Sequence, residues 1–389
     1  MPTDPRPDDP ALNDEAAGWV GAYVHVPFCR RVCPYCDFTV VSGKDHLMAR
    51  YVDALVAEIG RCEPFERPLD AIAVGGGTPS RLGPDGLGRV VGALRDRCGL
   101  AGDAEVSLEA NPEDWSPGYA EALVGAGFTR VSLGVQSFDP AVLADLGRVH
   151  TPDQADAAVA AARAVGFRTV SLDLIYGSPA DTPESWRGSV RRALASGIEH
   201  LSAYALTVER GTALARAVAA GAPAPDEDRQ ADAYEEAVAA ASAAGLIRYE
   251  TSNFAAPGHA CRYNLLTWAQ GEYLAFGCAA HGHRAGVRTR AIARLDRYLE
   301  AVEAGRSAVR GTERLAPWGR ELERLMLGLR RAAGVAAGRA GRALVESEDG
   351  ARLREAGVLV ARGDRLHVAH PLLGDEVARA ALALAPREC

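Results

Sequence analysis

The chain has 389 residues, 48% hydrophobic and 24% charged, which is enough apolar material for a large core and for more than one domain. Its formal net charge of -8 argues against non-specific binding to a phosphate backbone, and no apolar run approaches the roughly 20 residues that span a bilayer. The N-terminus, MPTDPRPDDPALNDEAAG, is acidic and proline-rich where a secretory signal would be basic and then apolar, so a short disordered tail over 1–20 and a cytoplasmic location are expected.

In chain order, β-rich runs fall at 22–26 (AYVHV), 71–76 (AIAVGG), 104–110 (AEVSLEA), 130–136 (RVSLGVQ), 169–177 (TVSLDLIYG) and 200–206 (HLSAYAL). Between them, segments such as 46–61 and 117–127 carry apolar residues at helical spacing and end at or near glycine. Strand and helix in alternation predict an α/β fold over 21–225, with parallel strands joined by right-handed crossovers in a partial barrel or an open doubly wound sheet. The proline-rich, charged stretch AAGAPAPDEDRQ (219–230) ends the alternation. A helix is predicted over 230–244, followed by a segment rich in aromatics, glycine and histidine. Residues 226–310 therefore read as a loop-rich extension, with 246–285 as a candidate lid. Residues 311–389 read as a small winged-helix-like unit, in which 350–370 forms a helix and then a hairpin turning at Arg362 to Asp364.

Of eight cysteines, three are packed into YVHVPFCRRVCPYCDF at C-x3-C-x2-C spacing: Cys29, Cys33 and Cys36. In a reducing compartment this pattern suggests a metal or cluster site, and the scattered five read as buried apolar residues or a chance terminal thiol. A structural zinc would need a fourth ligand such as His25, whereas a [4Fe-4S] cube can take three thiolates and keep one iron open for another ligand. Spacing favours the cube and leaves zinc open. Pro34 keeps the loop out of helix, and Phe28, Val32, Tyr35 and Phe38 would hold water away from a cluster.

The second feature is VGGGTP, Val74 to Pro79, whose glycines let the backbone approach a ligand and offer amide donors to a carboxylate or amino-acid group. Alone it reads equally well as a tight β-to-helix turn. Its position adds weight. The cysteine loop follows the first strand and the glycines the second, Glu109 and Gln136 end the third and fourth, and Asp173 lies on the fifth. Ligands of parallel α/β barrels bind at the carboxyl ends of the strands, so these groups would share one rim. The plain alternatives are ion pairing for Glu109 and Asp173 and a loop cap for Gln136.

Together with GGGTPS, SLEANPE, SLGVQSFD, LGRVH, SLDLIYGSP, YETSNFAAPGHACRYN and YLAFGCAAHG, the cysteine stretch makes the chain, from Tyr23 to about His283, resemble the radical S-adenosylmethionine (SAM) proteins. The branch it resembles contains oxygen-independent coproporphyrinogen III dehydrogenase and the HemW-like haem chaperones. The resemblance implies a partial (β/α)6 barrel and one [4Fe-4S] cluster on Cys29, Cys33 and Cys36, with SAM on the remaining iron. Gly76, Gly77 and Thr78 would meet the methionyl end of SAM, and Tyr23, Tyr35, Glu109, Gln136, Arg148 and Asp173 would line the same pocket.

Within that branch, the decarboxylating enzymes carry a fourth cysteine two residues after the third and a longer arm ahead of the motif. Here Phe38 holds that place and 22 residues precede Tyr23, as expected of the HemW-like group. That group implies haem as cargo, haem-acceptor proteins and an electron donor as partners, and neither nucleic acid nor stable membrane insertion, with homodimerisation left open. Its H-N-x-x-Y-W segment reads RYNLLTW here, so Tyr263 stands in place of the usual histidine. Tyr263 and His259 are the candidate haem ligands, with His281, His283 and Cys261 nearby in sequence. Decarboxylation of coproporphyrinogen III is the enzymatic alternative, and a zinc-stabilised nucleic-acid-binding regulator is the alternative of another class.

Overall fold

The computed structural model describes residues 14–384. Strands β1 (Val20–Val26), β2 (Leu69–Gly76), β3 (Leu100–Ala110), β4 (Arg130–Gln136), β5 (Thr169–Tyr176) and β6 (His200–Ala205) lie side by side in sequence order, each parallel to the next. Their composition explains why they form a partial barrel. In β4 and β5, Val131, Leu133, Val170 and Leu172 are fully buried, while Ser132, Gly134 and Asp173 on the alternate positions are not. A doubly wound sheet would be apolar on both faces. Here the apolar face packs on the helices and the alternate face lines an interior that can take a polar ligand.

The connecting helices begin on recurrent chemistry. Ser116-Pro117, Asp139-Pro140, Thr151-Pro152 and Thr182-Pro183 each place a capping side chain just before a proline at the first helical turn. Each cap satisfies an N–H that the helix leaves unpaired, worth about 1 kcal/mol, and proline loses nothing where its missing donor would be unpaired anyway.

Beyond β6 the extension is built of strands. β7 (Asn253–Ala255) pairs antiparallel with β6 at one edge of the sheet. At the other edge β8 (Glu272–Phe276) joins β1 in parallel, followed antiparallel by β9 (His281–Arg284), β10 (Val287–Ala291) and β11 (Val309–Arg314). The sheet ends do not pair, so the barrel is open.

Two expectations are corrected. Within 246–285, the stretch expected to form a lid, residues 259–262 lie not over the rim but at the opposite ends of the strands. His259 Nδ1 lies 2.8 Å from Thr169 Oγ1, the Arg262 N–H donates to Glu105 at 2.9 Å, and Arg130 donates to Glu105 at 2.8 Å and to the His259 carbonyl. Thr169 and Arg130 are the first residues of their strands, so residues 259–262 close the floor beneath the barrel, while Tyr263, Tyr273 and His281 of the same stretch line a cavity at the other end. The expected tail of 1–20 lies partly outside the described residues; within them, Asp14–Gly18 form a 3-10 turn and Ala16 packs with Tyr249, Cys261 and Leu265.

Toward the C-terminus, helices Pro317–Gly328, Gly338–Glu346, Glu348–Glu355 and Gly374–Leu382 share a separate apolar cluster with a three-stranded sheet, whose hairpin strands are Leu359–Arg362 and Arg365–Val368. Among the described residues no helix is long and apolar enough to cross a membrane.

Candidate functional site

The cysteine loop leaves the carboxyl end of β1 and is fixed by backbone bonds on both sides. The Val41 N–H donates to the Pro27 carbonyl at 2.8 Å, and Phe28–Cys29 pairs with Val41–Ser42. The Gly77 and Thr78 N–H groups donate to the Val26 and Phe28 carbonyls at 2.8 and 2.9 Å, tying the loop to the glycine turn after β2. Cys36 N–H closes a turn onto the Cys33 carbonyl, and the Pro34 carbonyl accepts from Leu214 N–H. Cys29 is buried and Cys33 and Cys36 are half-buried, and all three line one cavity of about 660 Å³. Burial above all pushes the Cys29 and Cys36 thiols up.

The three glycines are required by close approach. A Cβ on Gly75 would lie 2.9 Å from the Glu109 carboxyl group, one on Gly76 2.6 Å from the His25 ring, and one on Gly77 2.9 Å from Cys29 Sγ. Gly76 also has φ 114°, which side-chain-bearing residues rarely adopt. Gln136 has φ 67° at the bulged end of β4. That is a strained state for a residue with a side chain, of the kind that gathers at ligand sites.

The same cavity is lined by Tyr35, Gly76, Gly77, Thr78, Glu109 and Gln136, and by Arg148 and Asp173. Glu109 Oε2 accepts the Gly76 N–H at 3.0 Å. Burial, and then the Asp173 carboxylate, push the Glu109 carboxyl up to about 7, against the pull of that amide. Asp173 is also raised by burial, and the hydroxyls of Ser202 and Ser132 partly offset this, the latter at 2.9 Å. Arg148 reaches from beyond β4 to Cys33 Sγ at 3.6 Å and donates to Asn111 Oδ1 at 2.6 Å and the Gly134 carbonyl at 2.9 Å. Its Nε is buried without a partner. Asn111, Ser132 and Ser202 were missed in the sequence. Asn111 alone carried a signal there, standing two residues after Glu109.

A second cavity, about 380 Å³, flanks the first and shares Asp37, Phe38, Gly76 and Glu109 with it. Tyr23 and Tyr263 line this one, their rings stacked at 5.8 Å and 22°. Burial first, then Tyr273 and Tyr23, hold the Tyr263 phenol well above its ordinary range, so it is a neutral wall. His25 has both nitrogens engaged: Nε2 donates to the Thr39 carbonyl at 2.9 Å and Nδ1 accepts the Tyr23 hydroxyl at 3.3 Å. It is unsuited as a fourth zinc ligand. His259 lies on the floor, lining neither cavity.

Comparison with known proteins was then decisive. The Radical SAM superfamily description matches residues 23–193. The chain is 42% identical over 373 residues to a protein named heme chaperone HemW from Mycobacterium tuberculosis, covering 93% of this chain and 94% of that one. The chain belongs to the HemW family. The HemW of Bacillus subtilis is 33% identical across 92% of this chain and 97% of its own length, and that of Escherichia coli is 37% identical across 67% and 69%. The solved coproporphyrinogen III oxidase (HemN) of Escherichia coli, titled a radical SAM enzyme, superposes with a TM-score of 0.80 at 22% identity, over 95% of this chain and 92% of that one. This shows that the HemW-family chain has the HemN-like radical SAM α/β fold. In it the place two residues after Cys36 is held by Phe38, 63% exposed at the mouths of both cavities.

Proposed function

We propose that this chain is a haem chaperone that holds one [4Fe-4S] cluster on Cys29, Cys33 and Cys36, binds SAM beside it, and delivers haem to acceptor proteins with the help of an electron donor. One observation carries the reading: three thiols and the polar ends of successive parallel strands line a single cavity. The names of relatives 33–42% identical over most of the chain support haem as cargo.

The residues fit the groups. Among the described residues no three cysteine, histidine, aspartate or glutamate side chains converge as one metal ion would require. Three thiols without a free fourth protein ligand, His25 being engaged at both nitrogens, suit a cube that leaves one iron open better than a structural zinc. Gly76, Gly77 and Thr78 offer backbone at the cavity wall, and Glu109 and Asp173 offer carboxylates to a ligand that carries an ammonium and a sulfonium. Gln136 and Arg148 add fixed polar groups and Tyr35 closes an apolar side, whereas Tyr23, expected in the same pocket, lines the flanking cavity instead. When bound and reduced, such a cluster supplies the electron that can cleave the sulfonium of SAM.

A pH dependence follows. Burial and the Asp173 carboxylate push Glu109 up to about 7, far above the ordinary carboxylate range, so below that pH it is largely protonated. A cationic ligand prefers the carboxylate and must displace the proton. SAM affinity should therefore rise about tenfold between pH 6 and 8 and level off above, and Glu109→Gln should bind more weakly with a flat profile. Equilibrium dialysis across that range checks both.

The proposal is tested by loading the cluster-bearing chain with haem under anaerobic conditions and mixing it with a haem-free cytochrome. Haem should move to the acceptor. If haem stays free, or the chain instead decarboxylates coproporphyrinogen III, the reading is wrong.

A further inference from the structure

The flanking cavity has no assigned ligand, and away from the Asp37 and Glu109 carboxylates that it shares with its neighbour its lining is mainly aromatic. One wall is aromatic: Tyr263 stacks on Tyr23 and meets the edge of Tyr273 at 5.6 Å and 76°. Phe38, an apolar ring left 63% exposed, stands at the mouth. Its ring is placed to lie against a ligand in the cavity. The cavity is also lined by His281, the first residue of β9.

Strand register places these groups on one face. Tyr23 of β1 is opposite Ala275 of β8, Tyr273 is opposite His283 of β9, and His281 is opposite Arg290 of β10. Residues directly opposite share a face, and so do residues two apart on one strand. The face that lines the barrel therefore continues through β8 to β10 and presents Tyr23, Tyr273, His281 and Arg290 in turn.

His281 and Arg290 are also uncommitted. The rings of His25, His150, His200, His259 and His283 each make a hydrogen bond; among the described residues that of His281 makes none. Burial, then the charges of Arg290 and Arg288, lower its affinity for a proton and leave a nitrogen lone pair free. Arg288 is paired with Glu313 and Glu323, whereas among the described residues Arg290 has no ion pair.

We propose that this flanking cavity is where haem is carried, with His281 as the axial ligand, the tyrosine wall and Phe38 against the ring, and Arg290 meeting a propionate. A flat apolar macrocycle with one metal and two carboxylates needs an aromatic slot, one imidazole and a cation at its edge. The inference rests on the haem-chaperone reading. It moves the ligand to β9 from the two earlier candidates, Tyr263, which is a neutral wall, and His259, which lies on the floor.

The test is haem titration of anaerobically reconstituted wild type, His281→Ala, Arg290→Glu and Tyr263→Phe, each checked first for iron content and SAM binding. Wild type should give the Soret and visible bands of imidazole-ligated haem. His281→Ala should lose those bands and bind at least tenfold more weakly, and Arg290→Glu should weaken binding without changing the bands. All variants should keep their iron and SAM, because His281, Arg290 and Tyr263 line no part of the cluster cavity. If wild type binds no haem, the chaperone reading fails and this inference with it. If wild type binds haem and His281→Ala gives the same bands, or Tyr263→Phe is the variant that loses them, only the inference is overturned.

Discussion

Gly77→Ala should strip the chain of its iron as thoroughly as Cys29→Ser, although it removes no ligand. A Cβ at this position would lie 2.9 Å from Cys29 Sγ, 3.0 Å from the Phe28 carbonyl oxygen and 3.0 Å from the Pro27 carbonyl carbon. Two of these neighbours are backbone and cannot swing aside, and that backbone is held by the bonds from Gly77 and Thr78 to Val26 and Phe28. Relief must come from moving the loop and Cys29 together, which misplaces one of three thiolates. The expected iron content after reconstitution falls from about four per chain to near zero. Gly92→Ala is the control, since a Cβ there meets nothing within 4 Å; it should keep full iron and stabilise its helix by up to about 1 kcal/mol. Iron content and the visible absorbance of the cluster report both outcomes. Full iron in Gly77→Ala would mean the two loops are not coupled as described.

Arg130→Ala should be the most destabilising single change in the barrel floor. Arg130 is 2% exposed, bonds to Glu105 at 2.8 Å and holds the His259 carbonyl, while Glu105 also accepts the Arg262 N–H. Removing the guanidinium leaves a buried carboxylate without its counter-charge, a loss of roughly 3–5 kcal/mol. It also frees the segment that closes the floor. Pairing the change with Glu105→Gln removes the uncompensated charge and should recover part of the loss, a coupling that a double-mutant cycle in urea would measure. An Arg130→Ala protein with an unchanged midpoint would show that the floor is not held by this pair.

Much of the barrel was legible because its strands alternate strictly. VSL recurs at 106–108, 131–133 and 170–172, with the apolar residues outward and the serines inward, and β4 spans the predicted 130–136. The strands of the extension were not legible. Glu272–Phe276 is five residues long and half-buried, and nothing local announces its parallel pairing with β1, which closed what looked like a six-stranded array into a wider sheet. The floor was hidden for a related reason. Glu105, Arg130 and Thr169 are polar and read as solvent-facing until register shows that they point inward, against residues 259–262.

The candidate site divides in the same way. Cysteine spacing, the glycine triplet and the acids at strand ends are visible one at a time in sequence. Asn111 and Ser132 act only as partners, orienting Arg148 and Asp173, and gain meaning once neighbouring strands are aligned. Phe38 was legible as a missing thiol, and the structure adds that its exposed ring stands at the mouths of both cavities.

The central claim is a three-thiolate cluster in a protein that carries haem. Purification without oxygen, followed by quantification of iron, acid-labile sulfide, zinc and haem on one sample, tests it most directly. The account predicts about four irons and four sulfides per chain, negligible zinc, and a Soret band that saturates at one added haem. Stoichiometric zinc in place of iron, or an iron-loaded chain whose Soret region does not change as haem is added, would contradict it.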